Sequence, residues 1–264
     1  MCKVLKNITM TFFAVFVVAI YGMAQGEDLR IKLQKGSSYM VSMKSNQQTT
    51  MKLLGQDIKS TQVVECSQNL LVQDVREDEY EVSTTLKHIK LSQNQMGMSI
   101  NLDTDKPDDV NPLLAELMTE LMKMIDVPFV MIYDDKGKLL STDTLDSMNN
   151  LIGSQQVIIE LPEGPITKGS SWTKKNDMTI SDVKMEASYI YEVLDIDKKK
   201  IVIDFTGEMS GKDANGTFSG NITLNRSTCI VSEITMVQDI SMTVEEQGLT
   251  LPVRLKSTTD ISIK

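Results

Sequence analysis

Residues 183–193 read VKMEASYIYEV, with Val183, Met185, Ala187, Tyr189, Tyr191 and Val193 alternating against Lys184, Glu186, Ser188 and Glu192. Successive side chains of a strand point to opposite faces, so a period of two marks one apolar and one wet face. The same period continues through Ile201, Ile203 and Phe205, then Phe218, Ile222 and Leu224, then Ile234, Met236, Ile240, Met242 and Val244. It ends with Leu249, Leu251, Val253 and Leu255 and runs on to Ile261 and Ile263. Turn-forming breaks at Asp195 to Lys200, Asp213 to Gly216 and Glu245 to Gly248 separate these runs at hairpin spacing. An antiparallel meander follows, since the strands of a parallel sheet are apolar on both faces.

The N-terminal half behaves alike, with long strands expected near 38–54, 58–74 and 79–92 and a short one at Met96, Met98, Ile100 and Leu102. KGSSY at Lys35 to Tyr39 returns as KGSSW at Lys168 to Trp172, and Gln73 to Val82 lines up with Leu194 to Ile203. Gly36 to Val75 spans 39 residues and Gly169 to Ile196 spans 27, so the second copy is shorter by about one strand and its turn. Lys-Gly-Ser-Ser is ordinary turn chemistry before a strand, so the case for an internal duplication rests on two echoes in the same order.

Between the halves, Asn111 and Pro112 offer an N-cap and an N1 proline ahead of Leu113, Leu114, Leu117, Met118, Leu121, Met122 and Ile125. These positions form one helical stripe, which must lie on something apolar because each such side chain is worth roughly 1.5–3 kcal/mol when buried. A strand is expected at Val127 to Tyr133, a hairpin turn at Asp134-Asp135-Lys136-Gly137, and a second helix from about Thr144 to Ile152 with Gly153 as its stop. The expected fold class is mostly β: a curved antiparallel sheet or unclosed barrel plugged by two central helices, with a two-sheet sandwich as the alternative. No linker is long or polar enough to divide residues 25–264, which read as one domain of two β units, about 30–105 and 163–264, with a helical insert at about 109–153.

Lys3 and Lys6 precede an apolar run from Met10 to Tyr21, and Gly22-Met23-Ala24 offers small residues before a cut at Gln25. This is the pattern of a secretory signal peptide over residues 1–24, too short to span a bilayer. Lipoprotein attachment needs a cysteine directly after the cut, and the nearest, Cys2, lies inside the signal. The chain is therefore expected to be exported to the periplasm or beyond, without a lipid anchor or a remaining membrane span. The whole chain has 27 basic and 36 acidic residues, and losing two lysines with the signal leaves a formal charge of −11. Such a chain repels phosphate backbones and anionic lipid surfaces, which argues against nucleic acid as a partner. Cys66 and Cys229 remain in a compartment where they could pair, but their strand phases point to opposite faces of a sheet.

The order of signal peptide, long antiparallel strands, central helices, an Asp-Lys-Gly turn, Pro162, Gly164 and Pro165 leading to Gly169-Ser170-Ser171-Trp172, and a closing meander resembles a functionally unassigned family of exported bacterial proteins. It is more distantly similar to the half-barrel carriers of lipid or lipoprotein acyl chains in the bacterial envelope. The resemblance implies an unclosed barrel with a helical plug and a hydrophobic cavity, and transfers no catalytic or ligand residue.

His88 is the sole histidine and falls in phase with Tyr80, Val82 and Leu86, which places it near the core edge. Serine triads and histidine-rich zinc sites therefore lose their usual base or ligand. No phosphate loop joins a strand to a helix, and the acidic loop Asp103, Asp105, Asp108 and Asp109 lacks the glycine and distal glutamate of an EF-hand. No catalytic constellation, metal or cofactor is expected. Methionine is frequent, 18 in all, and serves equally to fill a core or to mould a pocket to varied apolar ligands. Two functions lead, an envelope carrier of a lipid or other apolar small molecule and a non-enzymatic interaction module with a filled core and an envelope protein partner, with an enzyme built from scattered carboxylates as the remaining alternative. For the carrier, the expected lining is Leu117, Met118, Leu121 and Met122 from the helix, facing Phe129, Met131, Met185, Tyr189 and Tyr191 from the sheet.

Overall fold

A computed structural model describes residues 26–53, 55–143, 158–180, 183–246 and 249–264. The expected signal peptide and the expected helix at 144–152 lie outside the described residues. Twelve strands build one antiparallel sheet: β1 (Ser38–Leu53), β2 (Gln56–Arg76), β3 (Glu79–Gln95), β4 (Met98–Asp103), β5 (Pro128–Asp134) and β6 (Leu139–Thr142) in the first half. The second half supplies β7 (Ser171–Ile180), β8 (Val183–Ile196), β9 (Lys200–Ser210), β10 (Ala214–Asn225), β11 (Val231–Glu246) and β12 (Leu249–Ile263). Their order is β6-β5-β3-β2-β1-β12-β11-β10-β9-β8-β7, with β4 also paired to β3. β6 and β7 end this path without pairing to each other, so the sheet is not closed into a barrel.

The last strand joins the first. Val41 to Met51 of β1 pair with Ile263 to Val253 of β12, which fuses the two halves into a single surface. One face carries the core, and its deepest members (Val72, Val82, Leu86, Ile201, Ile203, Leu224 and Ile240) are at most 1 % exposed. With one sheet and little helix to cover it, such burial requires the sheet to curl over its own inner face. Phe218 follows that curvature by packing its ring where a Cβ on Gly207 would stand.

The two KGSS turns share their bonding. Gly36 and Gly169 take φ of +85° and +83°, a region glycine enters without cost. Gly36 donates its amide to the Val72 carbonyl and Gly169 to that of Val193, each at 2.8 Å, and both valines donate back, to Ser37 and Ser170, at 2.9 Å. Beyond each valine the ladder shifts register, before Asp74 in one case and Asp195 in the other.

One end of the interior is capped. Residues 26–34 cross it as an extended strap that buries Leu29, Ile31 and Leu33, and Ile158, Ile159, Leu161 and Ile166 fill in beside it. Lys136, 7 % exposed, ties these pieces together: its ammonium donates to Asp28 Oδ1 at 2.6 Å and to the carbonyls of Leu29 at 2.8 Å and Pro162 at 3.2 Å. Arg226 holds Glu27 at 2.9 Å from the β10–β11 turn.

The central helix is shorter than its stripe suggests. Asn111 does cap, accepting the Leu113 amide at 3.0 Å, but Pro112–Leu114 form a 3₁₀ turn and α1 spans only Ala115–Met122. Met118 and Leu121 are buried, whereas Leu113, Leu117 and Met122 face solvent at 91, 45 and 37 % exposure. Of the expected two-helix plug, the described residues hold one short helix, which contributes two core side chains. Eleven residues lead into it from β4 and five lead out to β5, and on the way out the Asp126 amide bonds the Leu86 carbonyl of β3.

Candidate functional site

The inner face is filled unevenly. On β8 to β11 it is buried along most of its length, with Met185, Ala187, Met209, Ala214, Phe218 and Ile240 all at 4 % exposure or less. On the half of β12, β1, β2 and β3 remote from the strap, the same face stays half-buried: Val253 and Leu255, Gln47, Thr49 and Met51, Ile58, Ser60, Gln62 and Val64, and Leu91 and Gln93. This stretch is the opening of the interior, a trough of aliphatic and neutral polar side chains opposite the capped end.

Of the expected lining, Met118, Leu121 and Met185 are core, Leu117 and Met122 are exposed, and Phe129, Met131, Tyr189 and Tyr191 are half-buried on the inner face. Tyr189 and Tyr191 belong to an aromatic bank, with Tyr191 stacked on Trp172 at 5.1 Å and Tyr189 against Phe218 at 4.4 Å between ring centres. Burial raises both phenols above their ordinary range. β8, which carries the bank, and β5, which follows α1, stand on opposite sides of β1 in the strand order.

The opening itself was missed in the sequence, although its signal is there. Ser45, Gln47 and Thr49 occupy core-phase positions of β1, where alternation calls for apolar residues. The register aligns them with more of the same kind. Gln47 stands opposite Gln62 and Ser257, Gln62 opposite Gln93, and Ser257 opposite Gln238. Ser257 donates to Gln238 Oε1 at 3.0 Å, and the hydroxyls of Ser45 and Thr259 meet at 2.9 Å.

The outer face is wet. Asp260, Lys44, Glu65 and Lys90 stand opposite one another on β12, β1, β2 and β3, alternating in sign, and Lys44 pairs with Glu65 at 2.8 Å. A membrane barrel needs an apolar outer belt where this ladder lies. No described helix is long and apolar enough to cross a membrane. A recess of about 530 Å³ indents this face, lined by Ser42, Lys44, Glu65, Ser67, His88 and Asp260 among others, and a second of about 540 Å³ runs between Pro162–Ile166 and Ser170–Lys174.

His88 reaches the outer face through a bulge. Ser67 pairs with His88 but Gln68 pairs with Leu86, so Lys87 is the extra residue and the phase inverts after it. Ile89 takes the core position instead, at 5 % exposure. The core-edge placement of His88 is therefore corrected. Its Nε2 lies 2.9 Å from Asp103 Oδ1 and 3.6 Å from Asp105 Oδ2, and the imidazole holds the Asp103 carboxyl below its usual range. The three ligand atoms fall within 4.8 Å of one another, a nitrogen and two oxygens that a divalent cation accepts. Asp105 is 72 % exposed, and Asp103 already bonds the ring in a contact that ties the end of β4 to β3.

Cys66 and Cys229 are free and buried. Cys66 faces the core, and Cys229 sits in the turn before β11 at φ 55°. Burial pushes the Cys66 thiol up to about 11 and raises that of Cys229, so neither is a nucleophile at neutral pH.

A profile of DUF6263, a family of unknown function, matches residues 153–247. No curated protein matches the chain. Among solved structures, lipovitellin, determined for its lipid–protein interactions, is similar at a TM-score of 0.54 and 10 % identity, over 88 % of this chain and 25 % of that one. This chain thus spans a quarter of the lipovitellin chain, and the likeness is one of fold. An outer membrane channel from Pseudomonas putida F1 is similar at a TM-score of 0.38 and 9 % identity, over 89 % of this chain and 97 % of that one. The hypothetical lipoprotein YmcC from Escherichia coli follows at 0.26 and 10 % identity, over 80 % of this chain and 85 % of that one.

Proposed function

We propose that this chain is an exported, non-enzymatic carrier that holds an apolar ligand, an acyl chain or similar lipid, on the inner face of its unclosed sheet. The observation that carries the reading is the uneven filling of that face. Val253 and Leu255 remain half-buried, while Ile240, Met242, Met209, Ala214 and Ala187, level with them on β8 to β11, are buried; Val64 and Leu91 are half-buried in the middle of the sheet. Aliphatic side chains left accessible along a curled surface gain about 25 cal/mol per Å² when a ligand covers them. The sheet resembles that of lipovitellin, whose structure concerns lipid contacts, and this lends the reading support from fold. The charged outer face keeps the carrier itself in water. An interaction module with a filled core is the weaker reading, because the inner face of β12, β1, β2 and β3 stays half-buried on the half remote from the strap.

The test is displacement of a fluorescent apolar probe from the purified chain beginning at Gln25. Uptake of probe by the native chain is expected, with loss of at least tenfold in affinity on Leu255→Glu, a half-buried position at which a folded variant is attainable. Equal uptake by a folded Leu255→Glu protein, or no uptake by the native chain, refutes the assignment.

A further inference from the structure

The row of Gln238, Ser257, Gln47, Gln62 and Gln93 crosses five adjacent strands at one level of the inner face. Toward the strap the next row is Met236, Thr259, Ser45, Val64 and Leu91, and beyond it lies the apolar row Ile234, Ile261, Met43 and Cys66; toward the open end stand Ile240 and Leu255 beside Thr49 and Ser60. Gln238 and Ser257 satisfy each other, and Gln47 has a long contact to Ser45 at 3.4 Å, but Gln62 and Gln93 have no side-chain partner among the described residues. Carboxamides offer two donors and an acceptor each, and leaving them without partners on a half-buried face is costly unless water or a ligand completes them. Charge is absent at this level and around it. Apart from Glu246 at the far end of β11, no inner-phase position of the described strands from β8 through β12 and β1 to β3 is acidic or basic, and Lys174 at the β7 edge is already neutralised by Glu160.

On the carrier reading above, we propose that the glutamine row is the polar subsite, and that the cargo is a neutral amphiphile whose uncharged ester or amide linkage sits on Gln47, Gln62 and Gln93. Its acyl chain runs along the aliphatic rows of the trough. A carboxylate or phosphate at that level would be desolvated with no cation to meet it, which costs far more than neutral hydrogen bonds return. The row therefore selects carbonyl-bearing neutral lipids over anionic ones of the same chain length.

The experiment compares 1-oleoylglycerol, its ether analogue lacking the carbonyl, and oleate at pH 8, by native mass spectrometry and probe displacement on the chain beginning at Gln25. The ester is expected to bind about tenfold more tightly than either of the others, a gain that one or two net hydrogen bonds supply. Gln47→Met/Gln62→Met, which keeps side-chain length and removes the carboxamides, should abolish that preference while apolar probe is still taken up; retained melting behaviour shows that the variant folds. Oleate binding as tightly as the ester, or a preference unchanged in the double variant, overturns the proposal and leaves the carrier reading standing. Uptake of none of the three lipids and no probe overturns both.

Discussion

The hydroxyls of Ser45 and Thr259 lie 2.9 Å apart at 3 % exposure each, joining the first strand of the sheet to the last across 214 residues of chain. The pair stands where β1 meets β12, at the seam between the two halves. Each hydroxyl is the other's partner, so truncating one strands its neighbour. Ser45→Ala and Thr259→Val should each cost about 1–2 kcal/mol in urea melts, and the double variant less than their sum by about 1 kcal/mol. Strictly additive losses would show that the seam does not depend on this bond.

Lys136 binds the strap to the β5–β6 turn. Lys136→Met keeps the buried stem but removes the donor from Asp28 and from the Leu29 and Pro162 carbonyls. Asp28 is 45 % exposed and can rehydrate, so the expected loss is about 1–3 kcal/mol, below that of a fully buried pair. Hydrogen exchange at the Ile31 and Lys32 amides, which bond Asp135 and Thr228, should accelerate. Unchanged protection there would place the tether elsewhere.

Acid should loosen the fold over a defined window. Arg76, then Lys35, hold the Asp74 carboxyl down at about 2, and His88 and Arg254 lower those of Asp103 and Asp239. Folded values below the unfolded ones mean that this stabilisation is complete above about pH 4 and is lost as pH falls from there toward 2. Melting temperature should therefore decline through that interval, less steeply in Asp74→Asn. A flat profile from pH 5 to 2 would contradict the assigned pairs.

Both thiols should be silent in the folded state. With Cys66 raised to about 11 by burial and Cys229 also raised, a thiol reagent at pH 8 should label neither in native protein. In denaturant the chain beginning at Gln25 should release two. Prompt labelling of Cys66 in the native chain would show that the trough floor is open to solvent.

Period-two alternation made the long strands and their meander order legible, because a sheet with one wet face writes its phase into every second residue. Three features escaped that logic. The Lys87 bulge inverted the phase of His88, and a bulge has no local signature of its own. The stripe from Leu113 to Ile125 promised a buried helix, yet a helix seated at a sheet margin covers only what it touches, and Leu113 and Leu117 touch solvent. The glutamine row was written in β1 to β3 as polar residues in core phase, but it becomes a row only once the register of five strands is fixed, and the β1–β12 pairing joins residues about 200 or more positions apart.

The most direct test is native mass spectrometry of the chain beginning at Gln25, purified without detergent from a bacterial host that exports it, followed by denaturing extraction. The account predicts a stoichiometric added mass that extracts as an uncharged, carbonyl-bearing lipid. A clean apo mass that stays unchanged after exposure to neutral lipids, fatty acids and phospholipids would contradict it.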